Sequence, residues 1–165
     1  MKLTHKDGIG LSCTLYLNLK YNVNTMKIVT QSIQFTTRGK NDILNITDEV
    51  AGLLNSSGLV EGQVLVSAIG STTGITTLEY EPGLVKQDVH EMFELFAPYG
   101  KSYRHNLTWG DDNGASHLRS MLTGTSITIP FIDGKLILGT WQQIVFMDFD
   151  TRPRSRRVVV QFIGK

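Results

Sequence analysis

The chain has 165 residues, 41% of them hydrophobic and only 4 of them proline, which suffices for one well-formed core and is too little for two ordinary domains. No segment approaches the run of about 20 apolar residues that a membrane span needs, and a formal net charge of +1 gives no electrostatic case for nucleic acid or an anionic membrane as the main partner. The lone cysteine, Cys13, excludes an intramolecular disulfide and points to a reducing, cytoplasmic setting.

Residues 1–25 mix Asn, Tyr, Leu and Lys without a clear period, whereas Met26 precedes a clean strand pattern. The segment therefore forms either an extra strand or, the reading preferred, an N-terminal extension to a single domain spanning 26–165. It makes a poor signal peptide, because Asp7 sits in the supposed basic end and Gly10, Ser12 and Asn18 interrupt the apolar stretch. Without it the formal charge moves to −1, since Lys2, Lys6, Lys20 and Asp7 all precede Met26.

Residues 27–37 alternate around Ile28, Ile33 and Phe35 and predict a strand, followed by a turn at Arg38 to Asp42. Thr47 is placed to cap a helix whose first turn carries Asp48 and Glu49, whose apolar stripe is Val50, Leu53 and Leu54, and which Gly58 stops. Residues 64–69 and 75–80 read as successive strands around Gly70-Ser71-Thr72-Thr73-Gly74. Pro82 suits the start of a helix reaching about Ala97, with Val85, Val89, Met92, Phe93 and Phe96 on one face. A loop through Tyr103 to Asn113 then leads to a short helix, Ala115 to Leu122, closed by Gly124. Strands at 126–132 and 135–138 flank the hairpin signal Asp133-Gly134. Residues 144–149 and 157–163 predict another pair, around the basic turn Arg152 to Arg157, a solvated or intersubunit feature. Helices interleave with strands early and hairpins dominate late, which predicts an α+β domain with a large, mainly antiparallel sheet and a few helices packed on it.

The segment from Tyr103 to Arg119 concentrates imidazole, carboxylate, amide, guanidinium and indole groups around glycine turns, more than a connector needs. His105 and His117 are candidates for a general acid and base, or for ligands to one metal such as Mg²⁺ or Zn²⁺ with Asp111, Asp112 or Glu79 as third donor. Their spacing alone matches no zinc motif, so either role stays open. Ser71 and Thr72 offer hydroxyls and flexible amides to an anion, and Arg104 and Arg119 could grip phosphate through two donors each. Glu79 and Glu81 fall on one face if their strand continues, which would suit Mg²⁺, although compensation of the following helix dipole explains Glu81 as well. His90, on the charged side of its helix, reads as solvated. There is no Walker loop and no nucleophile elbow.

Thr37-Arg38-Gly39, Ile46-Thr47-Asp48, Glu81-Pro82-Gly83, Tyr103-Arg104-His105-Asn106, Asn113-Gly114-Ala115-Ser116-His117-Leu118, Leu138-Gly139-Thr140-Trp141-Gln142 and the ending Arg157-Val158-Val159-Val160-Gln161 occur together in this order. On them the chain resembles the YjbQ-like family of small bacterial and archaeal proteins, some described as secondary thiamine-phosphate synthases. The family pattern has a histidine before the paired threonines and another two residues before the position of His117; here Ser71 and Ala115 stand there, so the resemblance is to a divergent subgroup. It implies an α+β fold, a homotrimer, and an activity that joins a pyrimidine pyrophosphate to a thiazole phosphate with release of pyrophosphate, usually with Mg²⁺. The resemblance adds Asn106, Asn113 and Trp141 to the candidate ligand-binding residues.

The sequence thus leads to an enzyme of small phosphate-bearing metabolites, with His117 and His105 as acid and base, and to an alternative in which the protein is a non-catalytic oligomer that binds a ligand or metal.

Overall fold

The structure, a computed structural model, describes residues 26–165 and, as backbone, two short strands, β1 (Thr4–Lys6) and β2 (Ser12–Thr14), which pair antiparallel with each other. Apart from those strands, the expected extension over 1–25 lies outside the described residues.

Strands β3 (Lys27–Thr37), β10 (Arg154–Gly164), β5 (Glu61–Ala68), β7 (Ser126–Ile132) and β8 (Lys135–Leu136) form one sheet in that spatial order. A second sheet contains β4 (Asp42–Asn45), β9 (Gln142–Asp148) and β6 (Thr73–Glu79). Every pairing is antiparallel, as the late hairpin signals predict, and Asp133 and Gly134 turn β7 into β8 with positive φ of 52° and 68°.

The sheets face each other across an apolar core, because strand alternation sends Val158, Val160 and Phe162 of β10 and Ile144 and Phe146 of β9 to the same side. Helix α1 (Thr47–Ser57) closes this core with Val50 and Leu54, and ends at Gly58 in the left-handed conformation. The other face of β9, with Val145 and Met147, is covered by Val89 and Phe93 of α2 (Val89–Phe96). Burial on both faces explains why β9 reads as a continuous apolar run rather than an alternating one. Among the described residues two further helices follow, α3 (Arg104–Trp109) and α4 (Gly114–Thr123); α4 lies along β6, where Ser120 Oγ donates to the Thr73 carbonyl at 2.6 Å.

Several expectations need correction. The pattern of β3 points Val29, Ile33 and Phe35 inward but leaves Ile28 69% exposed. Thr47 does not cap α1: its hydroxyl donates to Asn45 Oδ1 at 2.7 Å and accepts the Ile144 amide at 2.8 Å, tying the helix start to β9. The helix expected after Pro82 begins with a π-helical turn, Leu84–Asp88, and on α2 Phe96 is exposed rather than buried. His105 stands on a helix, α3, and not in a loop. β9 and β10 are not a pair; they lie in different sheets.

That last point shapes the molecule. The links β3 to β4, β5 to β6 and β9 to β10 each cross between the sheets, and all three crossings fall at the same end, since Thr37 pairs with Arg154 while Asp42 and Thr73 both pair with Asp148. At this corner the apolar core gives way to polar groups on the same inward faces. Arg156 forms a two-pronged pair with Asp148, at 2.7 Å through Nε and 2.6 Å through one terminal nitrogen, and Thr37 donates to Asp148. Asp150 accepts from Arg154 Nε at 2.8 Å. Burial alone would push the Asp150 carboxyl up, but Arg154, the Thr151 amide and the charge of Arg156 hold it below the ordinary carboxylate value.

Candidate functional site

The histidine pair stands on this corner. His117 lies in the first turns of α4, and its Nδ1 donates to the Ser71 carbonyl of the β5–β6 crossing at 3.0 Å. A carbonyl can only accept, so the proton of the neutral ring is on Nδ1 and Nε2 is left as an acceptor. His105, on α3, packs edge-on against it with ring centroids 4.5 Å apart. Turned so that its nitrogen faces the Asp111 carboxylate, Asn113 donates to Asp111 Oδ2 and to His105 Nε2, each at 3.1 Å; the opposite orientation would set oxygen against oxygen. His105 Nε2 is then an acceptor, and its neutral ring presents Nδ1–H as a donor. The two imidazoles therefore expose opposite functions, an acceptor on His117 and a donor on His105.

Local packing fixes this arrangement. Asn106 Oδ1 accepts the Gly114 amide at 2.9 Å, clamping α3 onto the start of α4. Gly114 is required there, because a Cβ would lie 2.6 Å from Cβ of Tyr103. Gly110, at φ 68°, ends α3 and lets Asp111 turn back toward His105, whose Nε2 is 3.5 Å from Asp111 Oδ2.

The remaining candidates separate. Arg104, next to His105 on α3, is exposed, and no carboxylate among the described residues pairs with it. Ser71 is exposed in the crossing, but Thr72 is buried, accepting from Arg156 at 2.9 Å and facing Asp150 at 3.4 Å. Arg119 is fully buried: it donates to the Ala97 carbonyl at 2.8 Å, Asn41 Oδ1 at 2.9 Å and Glu94 at 2.6 Å, and stacks on Tyr99 at 3.8 Å. Burial pushes the Tyr99 hydroxyl up to about 12, against the pull of the Arg119 charge. Arg119 thus braces α4 against α2 and the Pro98 loop, and its guanidinium does not face solvent. Glu79 ends β6 opposite Gln142, six positions from Thr73, so strand geometry puts it and the neighbouring Trp141 about 20 Å from the histidine end. Glu81 does not share a strand face with it but caps the helix that follows, accepting the Gly83 amide at 2.8 Å and that of Leu84, which holds its carboxyl below the usual value.

The histidines and Asp111 are a poor metal site within one chain. The Asn113 amide already bridges His105 and Asp111, His117 Nδ1 is committed to Ser71, and no three His, Cys, Asp or Glu among the described residues converge on one point.

Sequence reasoning missed Asn41, the π-helical turn and the buried Asp148–Arg156 pair. Only the inward phase of Arg156 with Val158 and Val160 hinted at the last.

Two antiparallel sheets, a helical layer on the smaller one and a histidine pair at the crossing corner define a compact α+β class. Residues 31–165 match the family described as UPF0047 protein YjbQ-like, and the chain belongs to that family. A UPF0047 protein of Methanothermobacter thermautotrophicus is 40% identical over 140 residues, 85% of this chain and 95% of the relative. One from Archaeoglobus fulgidus is 42% identical over 120 residues, 73% and 90% of the two chains. Among solved structures, a YbjQ-like protein of unknown function from Sulfolobus solfataricus superposes with a TM-score of 0.80 at 31% identity, covering 85% of this chain and 99% of that one. A hypothetical protein of Aeropyrum pernix gives 0.77 at 32% identity, with 83% and 99% covered. The expected family and fold are confirmed; the relatives' names carry no activity.

Proposed function

We propose that the protein is an acid–base enzyme of small phosphate-bearing metabolites, with His117 as base and His105 as acid. The observation that supports this most is the pair of contacting imidazoles with opposite open nitrogens, each fixed by a separate partner, the Ser71 carbonyl and the Asn113 amide. A substrate hydroxyl or amine placed against His117 Nε2 would lose its proton there, and His105 Nδ1–H would meet a developing negative charge. Arg104 and the Ser71 hydroxyl, both exposed beside the pair, would hold the phosphate.

The nearest named reaction is the thiamine-phosphate-synthase-like transfer that the family resemblance implies. Mg²⁺ would enter with the pyrophosphate group, to which it supplies charge neutralisation. The protein would act in the cytoplasm as a homo-oligomer, a trimer by resemblance; no helix among the described residues is long and apolar enough to cross a membrane.

The test is to incubate the purified chain with the pyrimidine pyrophosphate, the thiazole phosphate and Mg²⁺, and to follow product and pyrophosphate. Turnover that disappears in His117→Ala is the expected result. Saturable substrate binding without product would favour a non-catalytic binding protein instead.

A further inference from the structure

A second cleft, of about 320 Å³, opens on the other side of the corner, between the β3–β4 turn and the π-helical turn. We propose that this cleft, bounded by Arg38, Lys40, Asn41, Tyr80, Lys86 and His90, binds a small phosphate monoester, with inorganic phosphate as the minimal occupant. The proposal does not depend on the reading of the histidine pair.

Its charge is one-sided. Three cations, Arg38, Lys40 and Lys86, meet a single lining carboxylate, Asp42, which Arg38 already neutralises at 2.6 and 3.2 Å. Arg38 spends Nε and one terminal nitrogen on that contact. Among the described residues nothing accepts from its other terminal nitrogen, and the side chain is 88% exposed, so a guanidinium edge remains for an anion. Among the described residues no carboxylate pairs with Lys40 or Lys86. Glu79 and Glu81, which flank Tyr80 in sequence, do not line the cleft, and Glu81 turns both oxygens to the Gly83 and Leu84 amides. An ordinary solvated surface intersperses the two signs; here like charges from two elements converge on one concavity.

A neutral donor completes the set. Asn41 is buried, and its Oδ1 accepts from Arg119 at 2.9 Å and from the Tyr99 hydroxyl at 3.4 Å. Its Nδ2 must therefore face His90 Nδ1, 3.3 Å away, and donate to it. That leaves the neutral His90 ring proton on Nε2, a donor in a cleft otherwise furnished with donors. His90 is thus half-buried and oriented, where the sequence suggested a merely solvated side chain. The turn itself carries three successive residues in the left-handed region, Gly39, Lys40 and Asn41 at φ 77°, 52° and 64°, two of them not glycine. This unfavourable backbone sends Asn41 inward to Arg119 while leaving Lys40 outside at the cleft. The volume is at the small end of ligand pockets, which suits a phosphate with a short organic group and not a nucleotide.

The experiment is calorimetric titration of the full chain with inorganic phosphate in chloride buffer. Saturable binding of one ion per chain at this cleft, distinct from any phosphate held beside Arg104, is expected, weakened at least about tenfold in Lys86→Glu and left unchanged in Lys135→Glu, an exposed lysine outside both sites. Lys40→Glu, also at an exposed position, serves as the second variant should Lys86→Glu fail to fold, which far-ultraviolet circular dichroism would reveal. The proposal is overturned by absence of saturable binding to the wild-type chain, by equal displacement with chloride, or by affinity that survives both Lys86→Glu and Lys40→Glu. Loss of binding in His117→Ala or Arg104→Ala with those two variants unaffected would move the ion to the histidine pair and overturn it too.

Discussion

His117 and Arg119 are two residues apart on α4, yet they have opposite roles, because two positions turn about 200° around a helix. His117 is half-exposed with one hydrogen bond to a surface loop, so His117→Ala should change unfolding free energy by less than ~1 kcal/mol while abolishing turnover or ligand binding. Urea denaturation beside an activity assay would check this; retained activity with a large loss of stability would show a structural residue instead. Arg119 should behave in the reverse way. Its removal strands Asn41 Oδ1 and the Ala97 carbonyl in the interior, and Arg119→Met should cost about 3 kcal/mol by the same denaturation measurement. A cost under ~1 kcal/mol would mean that the buried guanidinium contributes little. The sequence showed both residues as polar positions on one short helix, and the proximity of the two histidines could be guessed from their shared segment. Which face of α4 pointed at α2 could not, since Leu118, Met121 and Leu122, the residues whose apolar character and helical spacing mark an inward stripe, are exposed at 37%, 71% and 55%.

At the scale of elements, the longer strands and helices were legible, because each has its own period or stop signal, whereas the short β1, β2 and β4, helix α3 and the partners of the strands were not. The turn Arg152-Pro153-Arg154 resembles a hairpin connection, and only the tertiary pairing of Thr37 with Arg154 shows that it crosses between sheets. α3 was invisible for a different reason: with Leu107 79% and Trp109 74% exposed, its six residues carry no buried stripe to read. The crossing corner makes two measurable demands. Gly39 and Gly58 both sit at positive φ, but a Cβ on Gly58 meets nothing within 4 Å, whereas on Gly39 it would lie 2.6 Å from the Asp150 carbonyl oxygen and 2.7 Å from that of Arg152. Gly58→Ala should cost roughly 1 kcal/mol, the left-handed penalty alone, and Gly39→Ala clearly more; equal losses in thermal denaturation would refute the close approach. The corner also sets an acid limit. Because Asp150 and Asp42 are held below their unfolded values, their contribution is complete above about pH 4 and is lost as pH falls through the lowered folded values. Stability of the wild-type chain should therefore drop below about pH 4 more steeply than that of Asp150→Asn, and parallel curves would contradict the assignment.

For the whole molecule, the sequence pattern made residues 1–25 an extension, and a chain starting at Met26 should keep its thermal midpoint; a fall larger than about 8 °C would make the segment a structural element. An apolar run at a chain's end, such as Val158-Val159-Val160, can mark an uncovered edge, but β10 is the second strand of its sheet, paired on both sides, and Val158 and Val160 are fully buried. The uncovered apolar groups lie elsewhere. On α2, α3 and α4, Leu95, Phe96, Leu107, Trp109 and Met121 are each more than two-thirds exposed. Scattered single hydrophobic residues are ordinary on a surface, and an interface between chains that buries these helices would cover all five. Together with the family resemblance, this leads us to expect a trimer by light scattering at micromolar concentration. Leu107→Lys and Met121→Lys should lower the mass toward the monomer without unfolding the chain, since both side chains lie outside the core. A monomeric wild type would end this expectation, and a trimer indifferent to both substitutions would move the interface to the outer edge of β3, which pairs with no strand among the described residues and which a second chain could extend.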